Sequence, residues 1–217
     1  MGSSNDTPRP HTGLYDPGHE HDSCGLALIA DLRGRRDHQV VSYSLAALRQ
    51  LDHRGARGAE PNTGDGAGIM LQLPDQFCRA VAPVDLPPVG EYATGLVFLP
   101  TDPVAADHVV RVFEKYALVE GVDILGWREV PVDPTGLGAT ALASRPRIRQ
   151  VFVSAHRLTA GPAGPAGQRL SGLELERVLW CLRRQTERET RERGIGAYFP
   201  SLSSRTLVYK GMLTPDQ

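Results

Sequence analysis

The sequence has no long apolar run, few cysteines and no excess of charge of one sign. No apolar stretch approaches the roughly 20 residues that cross a bilayer, and the N-terminus lacks the apolar core of a secretory signal. The 24 basic and 25 acidic residues give a formal charge of −1, so the chain offers no sustained basic surface to nucleic acid or anionic lipid. We therefore expect a cytoplasmic protein with neither a nucleic-acid nor a membrane partner.

Only three cysteines occur, at Cys24, Cys78 and Cys181. They are odd in number and form no CxxC pair, so they indicate neither a disulfide framework nor a zinc site. Cys78 and Cys181 are each expected to be a small, partly buried side chain. Cys24 differs in its neighbours and needs a separate explanation.

The 217 residues divide into a polar leader and one globular unit. Residues 1–23 are rich in Gly, Ser, Pro, His and Asp, so we expect a disordered propeptide there. Residues 24–217 carry enough apolar side chains for one sizeable core. The strand candidate at the C-terminus is followed by no terminating helix or polar tail, which predicts a truncated chain.

Hydrophobic periodicity predicts strands and helices throughout this unit. Short apolar runs predict buried strands at 25–32, 67–73, 93–99, 123–132, 148–155 and 206–212. Helical spacing predicts helices with one buried face from Val41 to Leu51, over 104–118, and from Ser171 to Gly194. The glycines and prolines of 161–167 predict a surface loop.

The last of these helices has the clearest start signal. Ser171 with Glu174 three residues later is typical of a capping box, in which each side chain bonds to the other residue's backbone amide. Two i,i+4 ion pairs are expected further along the helix: Glu187 with Arg191 and Glu189 with Arg193.

Cys24 gains a base of its own if the peptide bond that precedes it is cut. A free thiol, with a pKa of about 8.5, is only a few per cent ionised at neutral pH and needs a proton acceptor to become a nucleophile. Cleavage after Ser23 would place an α-amino group, with a pKa of about 7.7–8.0, on the same residue as the thiol. Nucleophile and base would then form one unit, as in N-terminal-nucleophile enzymes.

Other polar groups suggest weaker alternatives. His53 could act as a general base, but a terminal amine makes a histidine unnecessary. The glycine-rich residues 63–68 are not followed by the Lys-Ser/Thr pair of a phosphate-binding loop. A predicted strand begins at their end, so they predict a tight turn. The histidines and aspartate of the leader could chelate a metal, although the polar composition favours a propeptide: His11, Asp16, His19 and His21.

Five separated motifs occur in an order that resembles the beginning of the large subunit in the glutamate synthase family. They are GLYDPGHEHDSCG (13–25), LDHRGARGAEPNTGDGAGIM (51–70), DILGWREVPVD (123–133), RIRQVFVS (147–154) and SLSSRTLVYKGMLTPDQ (201–217). Together they span nearly the whole chain and are far more specific than any one of them.

The resemblance implies a class II glutamine amidotransferase domain of α+β class: a partial αββα sandwich of the N-terminal-nucleophile hydrolase type, truncated at its C-terminus. It makes Cys24 the nucleophile that attacks glutamine and its α-amino group the base, with Arg54 near the thiol; Arg54 could alternatively tie a helix end to a loop. The released ammonia would feed a synthase site that uses 2-oxoglutarate, FMN and an iron–sulfur cluster, all held by domains that this segment lacks. The remainder of the large subunit and a small subunit are the implied partners.

The family also uses an arginine for the substrate carboxylate and an Asn-Gly oxyanion hole, both from chain beyond this segment. An oxyanion-hole donor is worth roughly 10²–10³ in turnover, so we expect the isolated 217 residues to be poorly active or inert, with uncovered sheet edges. The alternative to an enzyme is a docking module that acts only against the rest of the synthase. A cysteine hydrolase of another family would need a histidine placed by the fold near Cys24.

Overall fold

The computed structural model describes residues 25–54, 60, 62–64, 66–161 and 163–216. Over these ranges the chain forms five α-helices and five strands, which are arranged in two antiparallel sheets. Helices and antiparallel strands in one unit agree with the predicted α+β class. The leader and its four candidate metal ligands lie outside the described residues.

Three of the helices and all five strands fall where the hydrophobic pattern predicts them. The helices are α1 (His38–Gln50), α2 (Asp75–Val81), α3 (Pro103–Glu120), α4 (Ala139–Ala143) and α5 (Gly172–Glu192). The strands are β1 (Ala67–Gln72), β2 (Ala93–Leu99), β3 (Val122–Glu129), β4 (Arg147–Ala155) and β5 (Thr206–Gly211). Helices α2 and α4 were not predicted, because seven and five residues are too few to show a helical period.

Strand β4 is the centre of the larger sheet, whose order is β2-β4-β3. Its odd-numbered residues Val151 and Val153 join a core with α3 and α5, where Phe113 stacks on Phe199 at 5.7 Å between ring centroids. Its even-numbered Phe152 points the other way, into a smaller cluster beside α2. Successive side chains of a strand face opposite ways, so β4 is buried on both faces.

The second sheet pairs β1 with β5 and is joined to the first by the chain just before β5. Residues 198–203 run along the free edge of β2, where the Thr94 and Ser203 backbones exchange two hydrogen bonds of 3.1 Å. Phe98 and Tyr198 exchange a second pair, at 2.9 and 3.1 Å. The segment 198–211 is thus an edge of one sheet and then a strand of the other.

The predicted strand at 25–32 is absent from the structure. These residues form no regular element, and Leu26 and Leu28 are 92% and 89% exposed. A strand is stable only when its backbone groups find a partner, and none of the described strands pairs with this segment. Apolar composition alone was therefore an insufficient signal.

The first predicted helix forms and ends before residue 55 as expected, but its apolar face is not buried. No residue of α1 is fully buried, and Leu45 is 39% exposed. The helix packs against β1, and a two-stranded sheet is too narrow to cover a helix face.

The start of α5 is correct, but the capping box is not. Ser171 occupies the N-cap position without a side-chain hydrogen bond, and the Glu174 carboxylate instead accepts from Arg157 at 2.7 Å. One predicted ion pair, between Glu189 and Arg193, is confirmed at 3.3 Å. The other is wrong: within the described residues Glu187 is bonded to Arg184, 2.9 Å away, because that arginine lies one turn before it on the same helix face.

We expect Gly95→Ala to lower the free energy of unfolding by about 2 kcal/mol, since overpacking a core costs about 1–3 kcal/mol. A Cβ at this position in β2 would overlap the Ser201 carbonyl oxygen. Urea denaturation measures the effect. Gly196→Ala is the control, because a Cβ there meets nothing within 4 Å, and it should change stability by less than about 0.5 kcal/mol. Equal stability of the two variants would contradict the close approach of the two backbones.

Candidate active site

The two residues predicted for catalysis are not brought together by any described contact. Cys24 lies outside the described residues, which begin at Gly25. Arg54 ends a short 3-10 turn, Asp52–Arg54, but its side chain also lies outside the described part. Their pairing therefore stays a prediction.

His53 is engaged locally. Its side chain is exposed, and Nδ1 lies 3.0 Å from the Gln50 carbonyl oxygen, so that a protonated Nδ1 donates to the end of α1. This bond gives the imidazole a structural use one residue before Arg54.

Glu60, whose role was not predicted from the sequence, anchors the turn at 60–64. One carboxylate oxygen, Oε2, accepts from the Thr63 hydroxyl at 3.0 Å and from the Thr140 backbone amide at 3.1 Å. The Thr140 amide and, next, the Thr63 hydroxyl hold the pKa of Glu60 below its ordinary value. The carboxylate is thus ionised at neutral pH and caps the first turn of α4, whose own N-cap, Gly138, has no side chain to do so.

Two glycines allow this part of the chain to fit between its neighbours. A Cβ at Gly138 would overlap both Glu60 Oε2 and Thr63 Oγ1, and a Cβ at Gly64 would overlap the Leu213 carbonyl oxygen. The turn predicted before β1 is therefore held on two sides by chain far away in sequence. Asp65, within that turn, lies outside the described residues.

A groove of about 690 Å³ opens next to this junction. Leu45, Leu48 and Ile69 give it apolar walls, while charged side chains of both signs also line it: Arg49, Lys210, Asp133 and Asp216. Apolar walls with a few charged groups are usual for small-molecule sites, and guanidinium or ammonium groups suit a carboxylate. The groove can hold a ligand of amino-acid size.

A buried polar network lies in the larger sheet, on the face opposite α3 and α5. Gln150, fully buried, donates from Nε2 to Thr94 Oγ1 at 2.9 Å and accepts from Arg128 Nε at 2.8 Å. Thr94 Oγ1 in turn donates to the Val151 carbonyl at 2.7 Å. Each amide atom of Gln150 has a partner, so this face is held in one arrangement. The signal in the sequence was a glutamine directly before the apolar run 151–153 of β4.

The serines of the motif at 201–205 are structural. Glu176 Oε1 accepts from Ser203 Oγ at 3.1 Å, from the Ser204 amide at 2.8 Å and from Ser204 Oγ at 2.7 Å. Ser201 Oγ accepts from the Val208 amide at 3.1 Å. These bonds fix the turn through which the chain passes from the edge of β2 into β5.

Within the described ranges, no group of three or more His, Cys, Asp or Glu side chains is arranged to hold a metal ion. In the same part of the chain, no helix has the length and apolar content to cross a membrane. Of the two described cysteines, Cys78 is completely buried and Cys181 is half-buried on α5, as expected for small packing residues.

Comparisons with known proteins indicate the chemistry. The family model described as class-II glutamine amidotransferases matches residues 24–217. Glutamate synthase (NADPH) large chain of Bacillus subtilis is 40% identical over 206 residues, which are 94% of this chain and 13% of that protein. Ferredoxin-dependent glutamate synthase 2 of Synechocystis sp. is 36% identical over 197 residues, 89% and 12% of the two chains. Glutamate synthase (NADH) of Saccharomyces cerevisiae is 34% identical over 215 residues, 94% and 10%. The chain spans about a tenth to an eighth of these relatives' length.

We expect Cys78 to resist alkylation by iodoacetamide at pH 8 while the protein is folded. Burial raises the pKa of the Cys78 thiol to about 11, and only the thiolate reacts. At pH 8, a thiol with this pKa has about one thiolate for every 10³ protonated molecules. Peptide mass spectrometry before and after unfolding in guanidinium measures the difference. Cys181 is the internal control, and modification of both cysteines at the same rate in the native protein would contradict the prediction.

Proposed function

Since the chain belongs to the class-II glutamine amidotransferases, we propose that it is the glutamine-hydrolysing part of a glutamate synthase. The observation that carries the proposal is the start of the family match at Cys24, the residue that the leader's composition and the thiol chemistry select independently. The three relatives, all glutamate synthases, add the glutamate synthase context. The family match favours an enzyme over a docking module.

In the proposed mature protein, residues 1–23 are removed and residues 24–217 form the amidotransferase segment. The α-amino group of Cys24 takes the thiol proton, and the sulfur attacks the side-chain amide carbon of glutamine. The tetrahedral intermediate collapses as the nitrogen accepts a proton and leaves as ammonia. Water then cleaves the γ-glutamyl thioester, which releases glutamate and returns the proton and the free thiol.

Arg54 is proposed to lie close to the Cys24 sulfur. A guanidinium within about 4–6 Å of a thiol favours the charged thiolate and lowers its pKa. Its place at the end of the 3-10 turn, on the connection from α1 to β1, supports this role because residues of both α1 and β1 line the groove.

We also infer the αββα sandwich of N-terminal-nucleophile hydrolases. Four contacts support it: α1 packs on β1, β1 pairs with β5, β5 contacts β2, and α3 packs on the sheet that contains β2. Two stacked sheets between helices are the layer order that this sandwich requires.

The ammonia is proposed to pass to a synthase site in the remainder of the large subunit. That remainder is the proposed partner of this segment, lies with it in the cytoplasm and works with a small subunit. FMN and the iron–sulfur cluster belong to that remainder. A cluster needs about four cysteine thiolates, whereas this chain has three cysteines, one of them the proposed nucleophile and one completely buried. The segment itself is proposed to hold glutamine and no cofactor.

We expect 6-diazo-5-oxo-L-norleucine to label Cys24 in the protein expressed from its natural gene, in a species that begins at this residue. Cys24→Ala should abolish the labelling and lower glutamate release from glutamine by at least about 10³-fold, because removing a nucleophile leaves only binding and electrostatic contributions. Intact-mass spectrometry with peptide mapping locates the adduct. Cys181→Ser is the matched control and should keep both the label and the activity. Glutamine hydrolysis by a species that retains residues 1–23 would refute the terminal amine as base.

A further inference from the structure

Helix α5 carries a row of arginines on its outward face. Its inner side packs against α3 and the larger sheet, where Leu175, Leu179 and Leu182 are completely buried. Successive residues of an α-helix are roughly 100° apart, so the residues opposite these leucines share an arc of about 80°. We call this arc the outer stripe, and it consists of Leu173, Arg177, Trp180, Arg184, Arg188 and Arg191.

The outer stripe is open to solvent along its length. All six side chains are exposed, including two large apolar ones, Leu173 at 60% and Trp180 at 58%. A depression of about 400 Å³ lies beside the second half of the stripe, and Trp180, Arg184 and Arg188 are among its lining residues. The stripe therefore combines exposed apolar area with a surface into which a partner's side chain can fit.

The positive charge of the outer stripe is largely unpaired. Arg184 has an acidic partner on the helix, and Glu192 is exposed outside the stripe. The side chains of Arg177, Arg188 and Arg191 make no hydrogen bond or ion pair in the part of the chain that the structure describes. The near balance of charge over the whole chain thus conceals a local excess of positive charge. Other glutamates of α5 are already bound to partners: Glu174, Glu176, Glu187 and Glu189.

Exposed arginine and tryptophan together are typical of a protein interface. Both are enriched at the centre of interfaces and among the residues whose truncation weakens binding most. Guanidinium groups bind carboxylates through two parallel hydrogen bonds, so three unpaired arginines on one face favour a partner with acidic side chains. A nucleic acid is disfavoured because the chain as a whole has a formal charge of −1, which gives no long-range attraction to a polyanion.

The size of the outer stripe favours a tethered partner over a separate protein. The stripe is about 27 Å long and no wider than the helix, about 10 Å, so it covers at most about 270 Å². Stable complexes between separate proteins bury roughly 800 Å² per partner. A smaller contact is sufficient for a tethered partner, because the tether raises the effective concentration. The glutamate synthases that this chain matches are eight to ten times longer than the matched segment, so they contain ample chain for such a contact.

We propose that the outer stripe of α5 is the surface on which an acidic segment of the remainder of the large subunit docks. The inference rests on the proposed function for the identity of that partner. It assigns to the stripe no part in the chemistry of glutamine hydrolysis.

The test uses the protein expressed from its natural gene, with the photo-reactive substitution Trp180→p-benzoyl-L-phenylalanine. Irradiation and peptide mass spectrometry identify what lies against the stripe. We expect a cross-link to a peptide of the large subunit outside residues 1–217 in which Asp and Glu outnumber Lys and Arg. Val104→p-benzoyl-L-phenylalanine is the control, because Val104 is 73% exposed on the neighbouring helix α3, and it should not give this cross-link.

Charge reversal tests whether the arginines hold the partner. Combining Arg177→Glu with Arg188→Glu should lower the yield of the acidic cross-link about 5-fold or more, since truncating one important interface residue already weakens binding by about that factor. High salt should also lower the yield, because it screens exposed charges. Arg111→Glu is the matched control: Arg111 is exposed on α3 and lies outside the stripe, so its reversal should leave the yield unchanged.

A cross-link to a second copy of this chain, to an apolar segment, to another protein or to nucleic acid would overturn the proposal, and so would a benzophenone that stays unreacted. Equal yields with and without the double reversal, or an equal loss in Arg111→Glu, would also overturn it. Labelling of Cys24 by the glutamine analogue reports separately on the proposed function. A labelled Cys24 without the acidic cross-link rejects the docking surface alone, whereas the acidic cross-link with an unlabelled Cys24 rejects glutamine hydrolysis and keeps the docking surface.

Discussion

The double burial of β4 is the constraint on which the rest of the structure depends. The strand is paired along both edges, with β2 on one side and β3 on the other, and residues 150–155 are fully buried. One face supports the packing of α3 and α5, and the other supports the Gln150 network and the cluster beside α2. A strand of this kind cannot shift by one residue, because the shift would exchange Val151 and Val153 with Gln150 and Phe152 and bury the glutamine among helices.

The second sheet, and with it the groove, is placed by the way the chain leaves the first sheet. Residues 198–203 pair with the edge of β2 before the chain turns into β5, and Glu176 holds that turn through Ser203 and Ser204. Gly95 permits the close approach of the two backbones. Because β1 pairs with β5 in a continuous register, fixing β5 also fixes β1 and the end of the loop that precedes it.

That loop joins the folded unit to the proposed chemistry. It begins at the HRG motif, is attached through Glu60 to α4, and enters β1 beside the groove. A thiol and its own α-amino group make a compact nucleophile and base, and in the proposed site Arg54 is the cation beside them. The Glu60 carboxylate caps the first turn of α4 and binds the turn at 60–64 to it.

The sequence by itself determined the α+β class, the approximate positions of the longer helices and of five strands, and the family, because these depend on local periodicity and on motifs that occur in order. Local patterns failed for 25–32, where a strand needs a partner from elsewhere in the chain. They also failed for the capping box, because Arg157 donates a hydrogen bond to the Glu174 carboxylate. Only the tertiary structure decided that Glu60 meets Thr140, that Gln150 meets Thr94 and that Gly138 must lack a side chain. These contacts join residues 56 to 80 positions apart, and no local pattern encodes which distant segment a side chain will meet.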